Sequence, residues 1–228
     1  KADVVLGLDN NLLEAATQTK LFAKSGVAND TVNVPGGWKN DTFVPFDYGY
    51  FAFVYDKNKL KNPPKSLKEL VESDQKWRVI YQDPRTSTPG LGLLLWMQKV
   101  YGDKAPEAWQ KLAAKTVTVT KGWSEAYYTE FSKNGGTRPL VVSYATSPAA
   151  EVFYSKEKIT EPPTGVLFLK GGVFRQVEGV ALIKGGGQRE AAVRFIEFMR
   201  SPAVQEALQT SMSMFPAVPG IPRAEVMR

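Results

Sequence analysis

The sequence predicts an α/β protein with a mixed or largely parallel sheet flanked by helices. Three observations lead to this class. Short apolar strands alternate with helical segments along the chain, an order typical of sheets covered by helices. Several strands consist mainly of β-branched and aromatic residues, which favour pleated, half-buried surfaces. Polar loops follow three of the strands, and ligands of such sheets bind beyond the carboxyl ends of strands.

The first third of the chain contains two predicted strands and two predicted helices. Residues Ala2 to Leu8 form a strand of buried type, and a helix from about Asn10 to Leu21 follows. Phe43 to Tyr55 is a long aromatic strand. A helix over Ser66 to Val71 has Ser66 at its N-cap and Glu69 three residues later, which is the spacing of a capping box.

The remaining elements follow from the same patterns. Predicted strands cover Trp77 to Tyr81, Thr116 to Thr120, Pro139 to Tyr144 and Val173 to Ile183. Predicted helices cover Leu91 to Tyr101, Pro106 to Ala114, Ser124 to Phe131, Glu190 to Arg200 and Pro202 to Gln209.

Composition excludes several classes of chemistry. The 228 residues contain no cysteine and no histidine, so Cys nucleophiles, Cys–His metal sites and histidine acid–base catalysis are absent. The net charge is +6, and the densest basic run, Lys57 to Lys65, lacks the interleaved aromatic residues of a nucleic-acid surface. The longest apolar segment, Leu91 to Met97, is shorter than the roughly 20 residues that span a bilayer.

The loop Gln82 to Gly90 carries three consecutive hydroxyl residues directly before a predicted helix. The first N–H groups of a helix have no partner within it and lie at the positive end of its dipole. Such a terminus binds phosphate or carboxylate. Two interpretations stay open at this point, namely an anion site and an ordinary N-cap.

Two further loops resemble this one in position. Lys121 to Ser124 follows the strand that ends at Thr120, and Tyr144 to Pro148 follows the strand that ends at Tyr144. Because all three loops leave the ends of strands, we expect them to form one binding rim at a single edge of the sheet.

Four segments resemble the periplasmic thiamine-binding solute-binding proteins of ABC importers. They are Ala2 to Asn11, Phe46 to Ala52, Asp83 to Gly90 and Lys121 to Tyr127. The resemblance is close over residues 1–127. It is weaker over 128–228, where Ser143 to Pro148 and Met214 to Pro216 carry it, a change that suggests a hybrid or engineered chain.

The resemblance implies a two-lobed, type II binding protein with a ligand cleft between the lobes. It places residues 1–46 and 175–228 in lobe 1 and residues 47–174 in lobe 2, with a further strand–helix unit expected before Lys1. It also implies a non-enzymatic, monomeric, periplasmic protein with no cofactor. Such a protein delivers thiamine, thiamine monophosphate or thiamine diphosphate to a membrane permease.

The resemblance carries binding roles onto particular residues. Ser87 and Thr88 match a phosphate-contacting pair, Trp123 matches an aromatic residue of the cleft, and Tyr144, Ala145, Thr146 and Ser147 match a second binding turn. From the residues themselves, Tyr48 is the member of its aromatic strand expected to face ligand. Asp9 either neutralises the cationic ligand or caps the first helix.

Two positions depart from the pattern of these proteins. Ser213 stands where the resemblance implies a ligand-stacking Trp, and Ala150 stands where it implies another aromatic residue. Each missing ring removes about 0.5–2 kcal/mol of aromatic or cation–π energy toward a thiazolium.

Alternative functions differ in the chemistry they require. A binding protein of the same fold with altered specificity, such as a component of an engineered ligand sensor, is consistent with Ala150 and Ser213. A relative specific for ferric iron, polyamine or phosphonate would present tyrosine and carboxylate clusters or several acidic groups, whereas these loops present hydroxyls. A thiamine-degrading enzyme would use a Cys nucleophile, which the chain lacks.

Overall fold

The computed structural model describes residues 2–132, 140–167, 169 and 174–228. The helices are α1 (Leu13–Gln18), α2 (Leu67–Glu72), α3 (Thr88–Tyr101), α4 (Ala105–Ala113), a π-helix (Glu125–Phe131), α5 (Ser147–Tyr154), α6 (Arg189–Met199) and α7 (Pro202–Ser211), with short 3-10 turns at Gly102–Lys104 and Glu225–Met227. The strands are β1 (Val4–Asp9), β2 (Phe22–Ala23), β3 (Phe43–Asp56), β4 (Val79–Gln82), β5 (Thr116–Thr120), β6 (Leu140–Tyr144), β7 (Thr164–Val166), β8 (Phe174–Ile183) and β9 (Phe215–Pro216).

The chain divides into two compact units. The first comprises Lys1–Gly49 with Arg175–Arg228, and the second comprises Tyr50–Phe174. In the first unit β1 and β2 pair antiparallel with β8, β3 lies beside β8, and β9 pairs antiparallel with β3. Val44, Phe46, Val180 and Leu182 pack with Ile196 of α6 to form its core.

In the second unit the sheet is mixed, as the sequence predicts. The second half of β3 pairs antiparallel with β6 and β7, whereas β4 lies parallel to both β5 and β6. Alternate residues of these strands face opposite sides. Val79 and Leu140 pack beneath α3 and α4, while Ile80 and Val141 pack against the π-helix.

Local sequence signals account for several element ends. Ser66 Oγ accepts from the Glu69 N–H at 3.0 Å, so the predicted N-cap of α2 forms. Glu69 Oε2 accepts from the Lys65 N–H at 2.8 Å, one residue before the N-cap, so the second bond of the predicted capping box is displaced by one residue. The strand predicted over Thr116–Thr120 is confirmed. The strands predicted from Pro139 and Val173 begin at residues outside the described ranges.

Three predictions of local structure need correction. Helix α1 starts only at Leu13, and its N-cap, Leu12, makes no side-chain capping bond. The helix predicted over Ser124–Phe131 is of the π type, with the Ser132 N–H bonded to Tyr127 O five residues back at 3.0 Å. Helix α5, which follows β6 directly, was not predicted because Ser143 to Pro148 has the composition of a turn.

Candidate functional site

The three polar loops that the sequence singles out leave neighbouring parallel strands of the second unit. Asp83 to Thr88 follows β4, Lys121 to Ser124 follows β5, and Tyr144 to Ser147 follows β6. Because these strands run parallel, their carboxyl ends lie at one edge of the sheet. We call the residues of these three segments, 83–88, 121–124 and 144–147, the polar rim.

Hydrogen bonds join the first two loops of the polar rim. The Asp83 N–H donates to Thr120 O at 2.8 Å, and Thr86 Oγ1 donates to Lys121 O at 2.6 Å. Within the first loop, Arg85 Nη2 lies 2.6 Å from Asp83 Oδ2. The hydrogen bond from Arg85 lowers the pKa of Asp83 to about 2. Arg85 therefore pairs with its own loop, and its side chain is 85% exposed.

Ser87 and Thr88 lie at the start of α3. Ser87 occupies the N-cap position with extended backbone, its side chain makes no capping bond, and Pro89 lies in the first turn. Pro is favoured there because its missing N–H is not needed. The Ser87 hydroxyl is thus not used to cap its own helix.

A second set of hydrogen bonds joins the other two loops. Trp123 Nε1 donates to Ser143 Oγ at 2.7 Å, and Ser143 Oγ lies 2.6 Å from Ser147 Oγ. Ser147 Oγ also accepts from the Tyr144 N–H at 3.3 Å. These bonds fix the indole of Trp123 beside the start of α5.

The remaining residues of the third loop are held close to the sheet. The Ala145 N–H donates to Tyr50 O at 2.8 Å, and Thr146 is the buried N-cap of α5. The Tyr144 ring contacts both Phe51, with centroids 5.3 Å apart, and Trp123, with centroids 6.3 Å apart. The structure therefore brings Trp123, Tyr144 and Ser147 together.

A cavity of about 340 Å³ opens beside Trp123 and Ser147. Its lining follows helical periodicity. Positions 147, 150, 151 and 154 of α5 lie at spacings i, i+3, i+4 and i+7, which share one helix face. Residues 123, 127, 128 and 132 follow the wider spacing of the π-helix, and the lining is completed by Ser155, Ile159 and Pro163.

The sequence interpretation missed most of the described residues that line this cavity, including four that carry an aromatic ring or a charge. Tyr127, Tyr128, Glu151 and Tyr154 all line it, and the Tyr127 hydroxyl donates to Glu151 Oε1. Recognising α5 as a helix would have found Glu151 and Tyr154, since both lie on the face of Ser147. Ala150, whose small side chain departs from the pattern described above, also lines the cavity.

Three predicted site residues belong to the first unit. Asp9 ends β1, is fully buried, and its Oδ1 accepts from the Asn11 N–H at 2.8 Å. It therefore does not cap α1, which corrects that alternative. Tyr48 is buried and its ring stacks on Phe215 with centroids 5.3 Å apart. Ser213 adopts a left-handed backbone conformation with φ 55°.

Buried carboxyl groups also gather in the first unit. Glu178 of β8 lies opposite Asp9 in the strand register, and burial raises its pKa to about 7. Burial and the charge of Glu178 raise the pKa of Asp47, on β3, well above its ordinary value. Among the described residues no group of three or more acidic side chains is arranged to hold a metal ion.

The three loops lie beyond the carboxyl ends of strands in an α/β sheet, which is where proteins of this architecture hold their ligands. The family model for bacterial extracellular solute-binding proteins matches residues 1–226, and the chain belongs to that family. Within the described residues, the longest and most apolar helices fall short of what a membrane crossing requires.

Within this family of solute-binding proteins, the chain is similar to proteins that are named for thiamine binding. The chain is 70% identical over 216 residues to the thiamine-binding periplasmic protein of Salmonella typhimurium strain LT2, an alignment that covers 95% of this chain and 64% of that protein. It is 47% identical over 221 residues to the protein of the same name from Haemophilus influenzae, covering 96% of this chain and 64% of the relative. The chain thus spans a little under two thirds of these relatives.

Solved structures agree with the sequence relatives. A periplasmic thiamin binding protein superposes with a TM-score of 0.91 at 64% identity, covering 98% of this chain and 68% of that chain. A ferric binding protein from Campylobacter jejuni superposes with a TM-score of 0.77 at 21% identity, covering 99% of this chain and 74% of that chain. The second similarity concerns the fold alone.

Proposed function

We propose that the chain binds thiamine, thiamine monophosphate and thiamine diphosphate and delivers them to the membrane permease of an ABC importer. The observation that carries the proposal is the junction of two chemically different surfaces in the second unit. The polar rim supplies hydroxyls and helix N-termini, and the cavity beside it supplies aromatic rings. Thiamine diphosphate combines an anionic tail with cationic aromatic rings, so each surface matches one end of this ligand.

At the polar rim, Ser87 and Thr88 are proposed to contact the phosphate at the start of α3. The fourteen-residue α3 directs its N-terminal N–H groups toward this loop, and such termini stabilise anions. We propose that the N-terminal end of α5 contacts the phosphate in the same way, through Ala145, Thr146 and Ser147. Trp123 and Tyr144 are proposed to contact the rings.

The first-unit residues Asp9, Tyr48 and Ser213 stay in the proposal as ligand contacts predicted from the sequence. The division into lobes at 1–46 with 175–228 and 47–174 likewise stays a prediction. The periplasm as the site of action and a monomeric state complete the proposal, and the names of the relatives support the former.

A binding role is proposed over a catalytic one because of the chemistry present. The chain has no cysteine and no histidine, so a Cys nucleophile is absent and a serine nucleophile would lack its usual activating base. An altered specificity is not favoured, because the match to thiamine-binding relatives extends over 216 residues at 70% identity.

Calorimetric titration with thiamine, its two phosphates, spermidine and ferric citrate tests the proposal. We expect saturable binding of the three thiamine compounds and none of the other two. A folded protein that binds spermidine or ferric citrate and no thiamine compound would refute the proposed function.

A further inference from the structure

The positive charge of the chain is concentrated in one of its two units. The net charge is +6. Acidic and basic residues balance in the first unit, so the whole excess belongs to Tyr50–Phe174. The densest basic stretch of that unit is residues 57–65, which contains Lys57, Lys59, Lys61 and Lys65 and no acidic residue. We call residues 57–65 the basic segment.

The backbone of the basic segment is fixed at both ends. Asp56, the last residue of β3, accepts through its carbonyl oxygen from the Leu60 N–H at 3.0 Å and through Oδ1 from the Asn58 N–H at 2.8 Å. At the other end, the Lys65 N–H donates to Glu69 Oε2 at 2.8 Å. The lysines therefore extend from a positioned surface and not from a loose tail.

The lysine side chains of the basic segment form a solvent-facing patch. Lys59, Lys61 and Lys65 are exposed, and Lys57 is half-buried. Lys61 Nζ donates to Lys57 O at 3.0 Å, so its ammonium group lies along the same stretch of backbone. Residues 156–161, which precede the strand β7 that pairs with β3, contain equal numbers of lysine and glutamate and leave the local net charge positive.

The basic segment lies at the edge of the sheet opposite the polar rim. Strand β3 runs antiparallel to β6, with Phe51 opposite Tyr144 and Val54 opposite Val141. The end of β3 at Asp56 is therefore on the side where β6 begins, whereas the polar rim lies where β6 ends. A surface that covers the basic segment thus leaves the polar rim open.

The composition of the basic segment favours an anionic lipid surface over an acidic protein as its partner. All of its cations are lysines, and no large apolar side chain in it is exposed. Protein interfaces are depleted in lysine and have an apolar core, and arginine is the residue that supplies paired hydrogen bonds to carboxylate or phosphate. A lysine cluster is attracted to anionic headgroups by charge alone, and its long stems carry the ammonium groups outward.

We propose that the basic segment is a docking surface for anionic lipid headgroups, which holds the protein against a membrane while the polar rim stays uncovered. The inference goes beyond the proposed function, because it does not depend on which ligand is transported. Since charge supplies the attraction, the contact is reversible and weakens as salt screens it.

Flotation with lipid vesicles tests this surface. The probes are vesicles of phosphatidylcholine alone and of phosphatidylcholine with about one quarter phosphatidylglycerol, which supplies the negative charge. The test variant combines Lys61→Gln with Lys65→Gln. The matched control combines Lys39→Gln with Lys184→Gln, which removes the same charge from exposed lysines of the first unit.

We expect the wild type to bind the anionic vesicles and not the neutral ones, and to bind at least about tenfold more weakly at about 1 M salt than at about 0.1 M. Lys61→Gln with Lys65→Gln should weaken binding roughly tenfold or more, and the control pair by less than about threefold. Both double variants should bind thiamine as the wild type does, because these lysines lie outside the polar rim and do not line the cavity.

Three results would overturn the proposal. They are wild-type binding that is equal for neutral and anionic vesicles, binding to neither, and an equal loss in the two double variants, which would show a response to net charge alone. If the test variant does not fold, Lys65→Gln alone replaces it, with about a threefold loss expected and an unchanged affinity refuting the surface.

Thiamine titration of the same proteins separates this inference from the proposed function. A wild type that binds anionic vesicles through the basic segment but binds no thiamine compound would refute the proposed function and leave the lipid surface standing. A wild type that binds thiamine compounds but not the anionic vesicles would refute the lipid surface alone.

Discussion

Trp123 donates its indole N–H to Ser143 Oγ at 2.7 Å, and this bond links the end of β5 to the end of β6. Ser143 is fully buried. The donor, Trp123, is half-buried, and a shielded donor that loses its acceptor costs up to about 1–3 kcal/mol. The orientation of Trp123 thus depends on this hydroxyl as well as on its ring contacts with Tyr127 and Tyr144.

Replacing that hydroxyl tests the dependence. Ser143→Ala should lower the free energy of unfolding by about 1–3 kcal/mol and weaken thiamine binding several-fold, because the indole loses its fixed orientation. Urea unfolding and calorimetric titration measure the two effects. In a Trp123→Phe background the same replacement should cost less, since no N–H remains to be satisfied; equal costs in both backgrounds would contradict the coupling.

The hydroxyls at the start of α3 are expected to distinguish phosphorylated ligands. Ser87→Ala with Thr88→Ala should weaken thiamine diphosphate by roughly tenfold to a hundredfold, as expected for charge-assisted hydrogen bonds. Free thiamine should change by less than about threefold, because it lacks the anion. Thr160→Ala, an exposed hydroxyl in the same unit outside the polar rim, is the control, and equal weakening of both ligands would refute the assigned contact.

Because the pKa of Glu178 is raised in the folded protein, we expect the free energy of unfolding to depend on pH. It ionises near 4.5 when unfolded and near 7 in the buried site facing Asp9 and Asp47. Because the folded pKa is the higher one, its stabilising contribution is full below pH 4.5 and is lost as pH rises to about 7. The loss is on the order of 3 kcal/mol.

Glu178→Gln should remove this part of the pH dependence. We expect urea unfolding between pH 5 and pH 8 to show a flatter profile and greater stability at pH 8 than the wild type. Glu206→Gln, an exposed acid on α7, should keep the wild-type slope. A Glu178→Gln profile parallel to that of the wild type would show that the carboxyl group ionises alike in both states.

Gly90 allows α3 to start close against β4. A Cβ at this position would lie 2.3 Å from the carbonyl oxygen of Gln82 and 2.7 Å from its carbon. Gly90→Ala should therefore destabilise the protein by about 1–3 kcal/mol or more and shift Ser87 and Thr88. Gly187→Ala, where the added Cβ meets open space, should be close to neutral; similar melting temperatures for both variants would contradict the steric argument.

The sequence predicted the elements whose signals are local. Three of them depend only on neighbouring residues: the N-cap at Ser66, the β-branched strand at Thr116–Thr120 and the start of α3 near Pro89. The meeting of the three polar loops was also predictable, because alternating strands and helices imply parallel strands whose carboxyl ends share an edge.

Other features needed tertiary contacts. Asp9 is of a residue type that favours N-caps, yet its carboxyl group accepts from the Asn11 N–H. Asp9 also lies opposite Glu178 in the strand register. These two residues are far apart in sequence, so their pairing depends on the folding of the whole unit. Helix α5 starts inside a segment with turn composition, since Pro148 is compatible with both a turn and a first helical turn.

By itself, the sequence determined the alternation of strands and helices, the absence of cysteine and histidine chemistry, and the hydroxyl-rich loop at Ser87 and Thr88. Only the tertiary structure decided which side chains share the cavity. Glu151 and Tyr127 are distant in sequence, and no local pattern relates them. They meet because the π-helix and α5 pack at the same end of the sheet, so the hydrogen bond between them depends on how β5 and β6 are placed around β4.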